Sequence, residues 1–189
     1  MFRWLFARGF FSMGVRPGDT GTLVTNYPPH MFFWGAHEGL THMGIPVIAM
    51  GGFDLKRRIS FIQMLRPTVM AATASYALHM GEAMREMGLD PAATSVRLIA
   101  SGGEPGASVP STKLRVEEMW NARIADWFGA TEFGPAAHSC RPQEARTDAA
   151  PEIHFMEDCY VVEAVDPETR EPVPDGRPEI GRASCRERV

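Results

Sequence analysis

Cysteine is scarce: the 189 residues hold three, at positions 140, 159 and 185. So thin and odd a set cannot staple a small secreted fold, and it fits a reducing, cytoplasmic setting. Long apolar runs are also missing. Nothing approaches the ~18–20 residues of a membrane span. The apolar opening MFRWLFARGFFSM is interrupted by Arg3 and Arg8 and lacks a small-residue cleavage site. It reads as an amphipathic helix rather than a signal peptide. Positive charge is not in excess, since 19 Lys and Arg against 23 Asp and Glu leave a net −4. That balance argues against a nucleic-acid or anionic-membrane partner. Internal repeats and low-complexity tracts are absent, and no feature specifies an oligomeric state. The dinucleotide fingerprint is absent too. Gly102-Gly103-x-x-Gly106 departs from G-x-G-x-x-G, and no acidic residue sits suitably on a following strand.

What is present suits a soluble α/β protein. Hydrophobic residues make up 44% and charged residues 22%, enough for a sizeable core. Helical periodicity over residues 1–14 ends at Gly14, and TGTLVTNY (20–27) alternates as a strand does. Pro28-Pro29 breaks it, and an apolar, aromatic helix runs from His30 to Met43, closed by Gly44. Ile45–Met50 is continuously apolar, the pattern of a strand buried on both faces. Asp54 is placed to cap a helix reaching about Leu65. Strand Thr68–Thr73 follows, then a helix Tyr76–Met87 capped by Ser75, strand Val96–Ala100, a helix around Ser111–Trp120 and strand Arg123–Phe128. The alternation implies a largely parallel sheet flanked by helices, built through right-handed crossovers. From Gly134 to Ala150 the chain reads as a polar loop, and Ile153–Phe155 and Tyr160–Val165 read as a short antiparallel β segment.

In such sheets ligands sit beyond the carboxyl ends of the strands. Three loops meet there: TASYA (73–77), SGGEPG (101–106) and GATEFG (129–134). In DWFGATEFGP (126–135), Gly129 and Gly134 flank Thr131 and Glu132. A hydroxyl beside a carboxylate suits a phosphate oxygen and Mg²⁺ held together, because Thr donates to the oxygen and Glu is a hard ligand for the cation. A turn with a helix cap is the alternative for the decapeptide taken alone. Gly102 and Gly103 let a flat ring approach the backbone, and Pro105 fixes the turn after Glu104.

Several pieces, in order and spacing, resemble the adenylate-forming (AMP-binding) superfamily and, within it, the phenylacetate–coenzyme A ligases. They are GVRPGD (14–19), TASYAL (73–78), GGEP (102–105), DWFGATE (126–132), IHFMED (153–158) and VVEAVDPETREPVPDG (161–176). The resemblance covers residues 13–178, with Phe128 where the family carries tyrosine. It implies an ATP-dependent acid–thiol ligase with Mg²⁺ and coenzyme A, in which a carboxylate attacks the α-phosphate and the thiol then displaces AMP. Gly102, Gly103, Glu104 and Pro105 would line the adenine site, with Asp126, Phe128, Gly129 and Ala130 opposite. Thr131 would contact the α-phosphate and Glu132 would bind Mg²⁺. Tyr27, Phe32, Phe33, Trp34, Ser75 and Tyr76 would surround an aromatic carboxylate, though Phe32, Phe33 and Trp34 equally suit helix core.

The same resemblance expects part of the large N-terminal domain of such an enzyme. Residues 1–135 would be its α/β core, truncated at the N-terminus, and 136–179 the β-rich start of the next subdomain. The phosphate loop would lie before residue 1, and the ribose-binding aspartate and C-terminal lysine after 179. Residues 180–189, IGRASCRERV, read as translated sequencing adapter and are set aside, Cys185 included. Met1 is compatible with an internal methionine.

Further readings stay open. A related enzyme loading a carrier-protein thiol would share every motif present, and a non-catalytic nucleotide-binding module is the alternative from another class. His138, Cys140, His154 and Cys159 offer a zinc set, without a recognised finger spacing. Lys56-Arg57-Arg58 reads as a solvated helix face, with coenzyme A phosphates as the alternative. His30, His37, His42 and His79 read as surface or packing residues, and the methionines of 80–87 as core.

Overall fold

A computed structural model describes residues 2–27, 30–139, 153–166, 168–173 and, by backbone, 182–187. The chain divides into two compact units, Met1–His154 and Phe155–Val189. From the N-terminus run α1 (Phe2–Met13), β1 (Gly21–Leu23), α2 (Met31–His42), β2 (Val47–Ala49), α3 (Leu55–Leu65), β3 (Val69–Ala72), α4 (Ala74–Glu86), β4 (Leu98–Ser101), α5 (Pro110–Trp120), β5 (Arg123–Ala130), β6 (Gly134–Ser139) and β7 (Ile153–Phe155). Helices and strands alternate as far as β5, two further strands follow, and the last of these, β7, ends on the first residue of the second unit. The sheet order is β2-β1-β3-β4-β5-β6-β7. Pairings from β2 through β5 are parallel and β6 returns antiparallel to β5. The expected parallel sheet flanked by helices is the observed architecture.

Three expectations change. Ile45–Met50 is not a doubly buried strand. Only Val47–Ala49 pairs, on the edge beside β1, and these residues are half-buried to exposed. Continuous apolarity cannot distinguish an edge strand lying under a helix from a central one. Gly134–Ser139 is not a loop but a fully buried strand, because its small side chains let it lie close against β5. Ser75 does not cap α4. Thr73 does, its Oγ1 accepting the Tyr76 amide at 3.2 Å. Asp54 caps α3 as expected, accepting from the Arg57 amide at 2.8 Å.

The core on one side of the sheet joins α3, α4 and α5 through Ile59, Ile62, Met80, Met84, Val116 and Trp120. Methionines fill its irregular gaps, as their flexible thioethers allow, and buried Trp120 donates Nε1–H to Ala77 O at 3.0 Å. The other side is aromatic. Trp127 of β5 packs against Phe6 and Phe10 of α1, with centroids 5.0 and 5.5 Å apart. The amino edge of the sheet is tied by Asp19, whose carboxylate accepts from Arg97 Nε (3.0 Å), Arg97 Nη2 (2.5 Å), Thr68 Oγ1 (2.7 Å) and the Arg16 amide (2.8 Å). The carboxyl edge is thereby left to loops.

The second unit pairs β8 (Tyr160–Val165) with β9 (Arg182–Glu187), antiparallel from Tyr160↔Glu187 to Val165↔Arg182. β9 thus falls inside the decapeptide set aside above. Asp166 holds the turn after β8 by accepting from the Glu168 and Thr169 amides. No helix among the described residues is long and apolar enough to cross a membrane.

Candidate active site

The three expected loops all emerge at the carboxyl ends of β3, β4 and β5, adjacent strands in the sheet. Two contacts organise them. Glu104 accepts the Ser75 amide on Oε1 at 2.5 Å, joining the β4 loop to the start of α4. Asp126 is 3% exposed, and its carboxylate accepts three amides, from Gly106 (3.2 Å), Ala107 (2.8 Å) and Ser108 (2.7 Å). It turns under the 106–108 segment and is not among the residues lining the cleft beside Thr131. The side chain that the family resemblance sets against a nucleotide thus braces the 106–108 segment from beneath.

Glycine is required at particular points here. Gly103 has φ +89°, which L side chains adopt rarely. A Cβ on Gly102 would come within 2.7 Å of the Phe32 ring. Gly129 lies against the Gly134 carbonyl across the β5–β6 hairpin, with a register shift between Phe128 and Gly129. The hairpin raises Thr131 and Glu132 on the turn between β5 and β6, and both are exposed. Neither side chain engages a protein partner among the described residues, so hydroxyl and carboxylate are available to a ligand. A free, exposed carboxylate is suitable chemistry for a hard cation such as Mg²⁺.

Beside Thr131 lies a cleft of about 160 Å³. Phe32, Trp127, Phe128, Gly103, Gly129 and Ala130 line it, together with His30, Met31, Pro135, Phe2 and Phe6. Trp127 is 6% exposed, and its buried Nε1–H has no hydrogen-bond partner among the described residues. His30, which the sequence places among surface or packing residues, lines this cleft. It precedes α2, at the extended cap position. Its place after the Pro28-Pro29 break was the available signal.

The six residues expected around an acid do not converge on one cavity. Phe32 lines the Thr131 cleft, whereas Tyr27 and exposed Trp34 line a second cleft beyond β1 and β2. Phe33 is 5% exposed and belongs to the core. Ser75 meets Glu104, and Tyr76 OH accepts from Arg58 Nη1 at 2.7 Å. Lys56 and Arg57 are solvated as expected, but Arg58 points inward, 7% exposed, because one position in three on this helix faces the core. Among the described residues no three His, Cys, Asp or Glu side chains gather around a metal position. Of the zinc set, His138 is buried, His154 is exposed and Cys159 is half-buried, in no disulfide among the described residues. Cys140 lies outside the described residues.

The family model described as AMP-binding enzyme matches residues 6–182. The chain belongs to that family. Curated relatives include a phenylacetate–coenzyme A ligase of Aromatoleum evansii, 31% identical over 172 residues, which are 90% of this chain and 37% of the relative. Another, from Thermus thermophilus, is 29% identical over 94% of the chain and 38% of its own length. The fold matches an open-conformation structure of 2-hydroxyisobutyryl-CoA ligase in complex with 2-HIB-AMP and CoA. There the TM-score is 0.84 at 27% identity, over 93% of this chain and 39% of that one. The chain thus spans under two-fifths of the length of the relatives it matches.

Proposed function

We propose that this AMP-binding chain is the central part of an ATP-dependent acyl–coenzyme A ligase that activates an aromatic, phenylacetate-like carboxylate. The observation that carries the reading is the pairing of a free Thr131 hydroxyl and a free Glu132 carboxylate with an aromatic-lined cleft at the strand ends. The names of the curated relatives support an aryl acid. The 2-hydroxyisobutyryl-CoA ligase structure, with its adenylate and CoA, supports the adenylate chemistry.

In this reading the substrate carboxylate oxygen attacks the α-phosphorus of ATP and pyrophosphate leaves. The thiol of coenzyme A then attacks the acyl carbonyl and AMP leaves. Thr131 donates to the α-phosphate as charge develops on its oxygens, and the amides beside Gly103 face the nucleotide. Glu132 would hold Mg²⁺, which when bound would supply positive charge against the phosphates. Phe128 stacks on one side of the base without the hydroxyl a tyrosine would bring. Phe32, Trp127 and Phe128 exclude water from the acid, while Asp126 and Glu104 hold the loops so that little reorganisation accompanies reaction.

The test is acid-dependent pyrophosphate release by the complete reading frame, comparing aryl acids with short aliphatic ones. Glu132→Ala should lower the rate by about 100-fold or more. Residues 1–189 alone should release no pyrophosphate above a Glu132→Ala control. Release from the complete protein that ignores the acid, or survives Glu132→Ala intact, would refute the proposal.

A further inference from the structure

The second cleft, about 540 Å³ in volume, lies beyond the carboxyl ends of β1 and β2, away from Thr131. Asn26, Tyr27, Trp34, His37, Ala49 and the Gly51-Gly52 turn line it. Its polar groups share one character. Asn26 Oδ1 accepts the Gly52 amide at 3.0 Å and Arg58 Nη2 at 2.8 Å. Both partners are donors, so the side-chain amide has one possible orientation, and the Nδ2 group is the one left for solvent and ligand.

Opposite, Tyr27 is buried, and burial pushes its phenol up to about 12. The hydroxyl therefore keeps its proton, and its hydrogen-bond partner is His37 Nδ1 at 2.9 Å. We assign the phenol as donor in this bond, which puts the ring proton of His37 on Nε2. The cleft thus carries N–H donors on two sides.

Behind Asn26 stands Arg58. Its guanidinium is held by Met50 O (3.2 Å), Tyr76 OH (2.7 Å) and Asn26 Oδ1, all neutral oxygens. No Asp or Glu pairs with it among the described residues. Three of its five N–H groups are thereby used, and the charge remains because guanidinium does not lose its proton. A buried cation without a counter-anion is costly, and it makes the neighbouring cleft favourable for negative charge.

We propose that this cleft is an anion subsite. It takes a carboxylate or phosphate group of a small ligand on Asn26 Nδ2 and His37 Nε2, with Arg58 as the charge behind them. The Tyr27 and Trp34 rings, 4.9 Å apart and edge-on, wall the organic body that carries the anion. Two sources share this chemistry: a second carboxylate on an acid, or a phosphate on a phosphorylated ligand. The subsite uses no residue of the Thr131 cleft and stands whether or not the chain adenylates an acid.

The experiment is a titration of the ¹⁵N-labelled chain with inorganic phosphate and, separately, with succinate, against sodium chloride at matched ionic strength. The Asn26 side-chain amide and His37 ring resonances are followed. Saturable shifts with phosphate or succinate, and none with chloride, are expected. Tighter phosphate points to a phosphorylated ligand, and tighter succinate to a dicarboxylate. Asn26→Asp keeps the oxygen that Arg58 and Gly52 hold but turns the free donor into an anionic oxygen. It should leave the remaining spectrum in place and weaken binding about tenfold or more through like-charge repulsion. Absence of saturable shifts with both anions, or an Asn26→Asp chain that binds as the parent does, overturns the proposal.

Discussion

Removing the Asp126 carboxylate should collapse the loop that SGGEPG forms, and its size can be worked from the contacts. The group is 3% exposed and satisfies three amides at 3.2, 2.8 and 2.7 Å, two of the bonds buried and the Ser108 bond partly so. In Asp126→Ala two buried N–H groups lose their acceptor, at about 1–3 kcal/mol each. The third is recovered in part by water. A total of roughly 3–5 kcal/mol is expected, a large share of the ~5–15 kcal/mol that holds a typical domain. With a urea slope of about 2 kcal/mol/M, the midpoint should fall by about 2 M. Asp126→Asn keeps one oxygen but turns an NH₂ group towards donors, and should cost somewhat less than alanine. All four tryptophans lie in the first compact unit, so tryptophan emission during urea unfolding reports that unit. Hydrogen exchange at residues 106–108 gives the local readout. Midpoints within about 0.3 M of the parent for both variants, with unchanged exchange at those amides, would refute the brace.

Gly129→Ala should cost about 3 kcal/mol, at the upper end of overpacking penalties, because its Cβ would meet backbone of Gly134 and Pro135 rather than a movable side chain; urea unfolding checks it. His138 is buried against Trp127, with ring centroids 5.7 Å apart. Burial foremost, then the charges of His154 and Arg8, hold it below its ordinary 6.5 despite the Ser139 carbonyl. The unfolded chain therefore takes the proton first, so stability is full above pH 6.5 and is lost as pH falls from there towards the folded value. His138→Gln should flatten the stability profile between pH 5 and 6.5 in thermal melts. For Asp19, burial alone would raise the carboxyl. The Arg97 hydrogen bond, the Arg16 amide, the Thr68 hydroxyl and the Arg97 charge outweigh it and hold the group below 3.8. Its stabilisation is complete above that value and is lost as pH falls through the lowered one. Asp19→Asn should remove part of the acid-side decline below pH 4, measured as unfolding free energy against pH.

Much of this was legible without coordinates, and the legible parts share a cause. Asp54 at the head of α3 acts within a few residues, so local chemistry specifies it. The alternation of helices and strands fixed which loops would share the carboxyl edge of a parallel sheet, and with them Gly103, Glu104, Thr131 and Glu132. Apart from the α4 cap, which sits two residues earlier at Thr73, the misread pieces are those whose burial depends on distant neighbours. Whether Val47–Ala49 lies at an edge, whether Gly134–Ser139 packs as a strand, and which of Lys56, Arg57 and Arg58 turns inward are all questions of strand order and helix rotation.

By itself, then, the sequence determined the element alternation, the family pattern and the exposed Thr-Glu turn, because periodicity, caps and turn residues act over short spans. Only the tertiary structure decided the work of particular side chains. Asp126 became a brace because the amides of residues 106–108 close over it. Arg58 became a buried cation with no acidic partner among the described residues because Met50, Tyr76 and Asn26 arrive from three separate stretches of the chain to surround it. Burial and hydrogen-bond partnership are set by residues far apart in the chain, and local pattern carries no record of them.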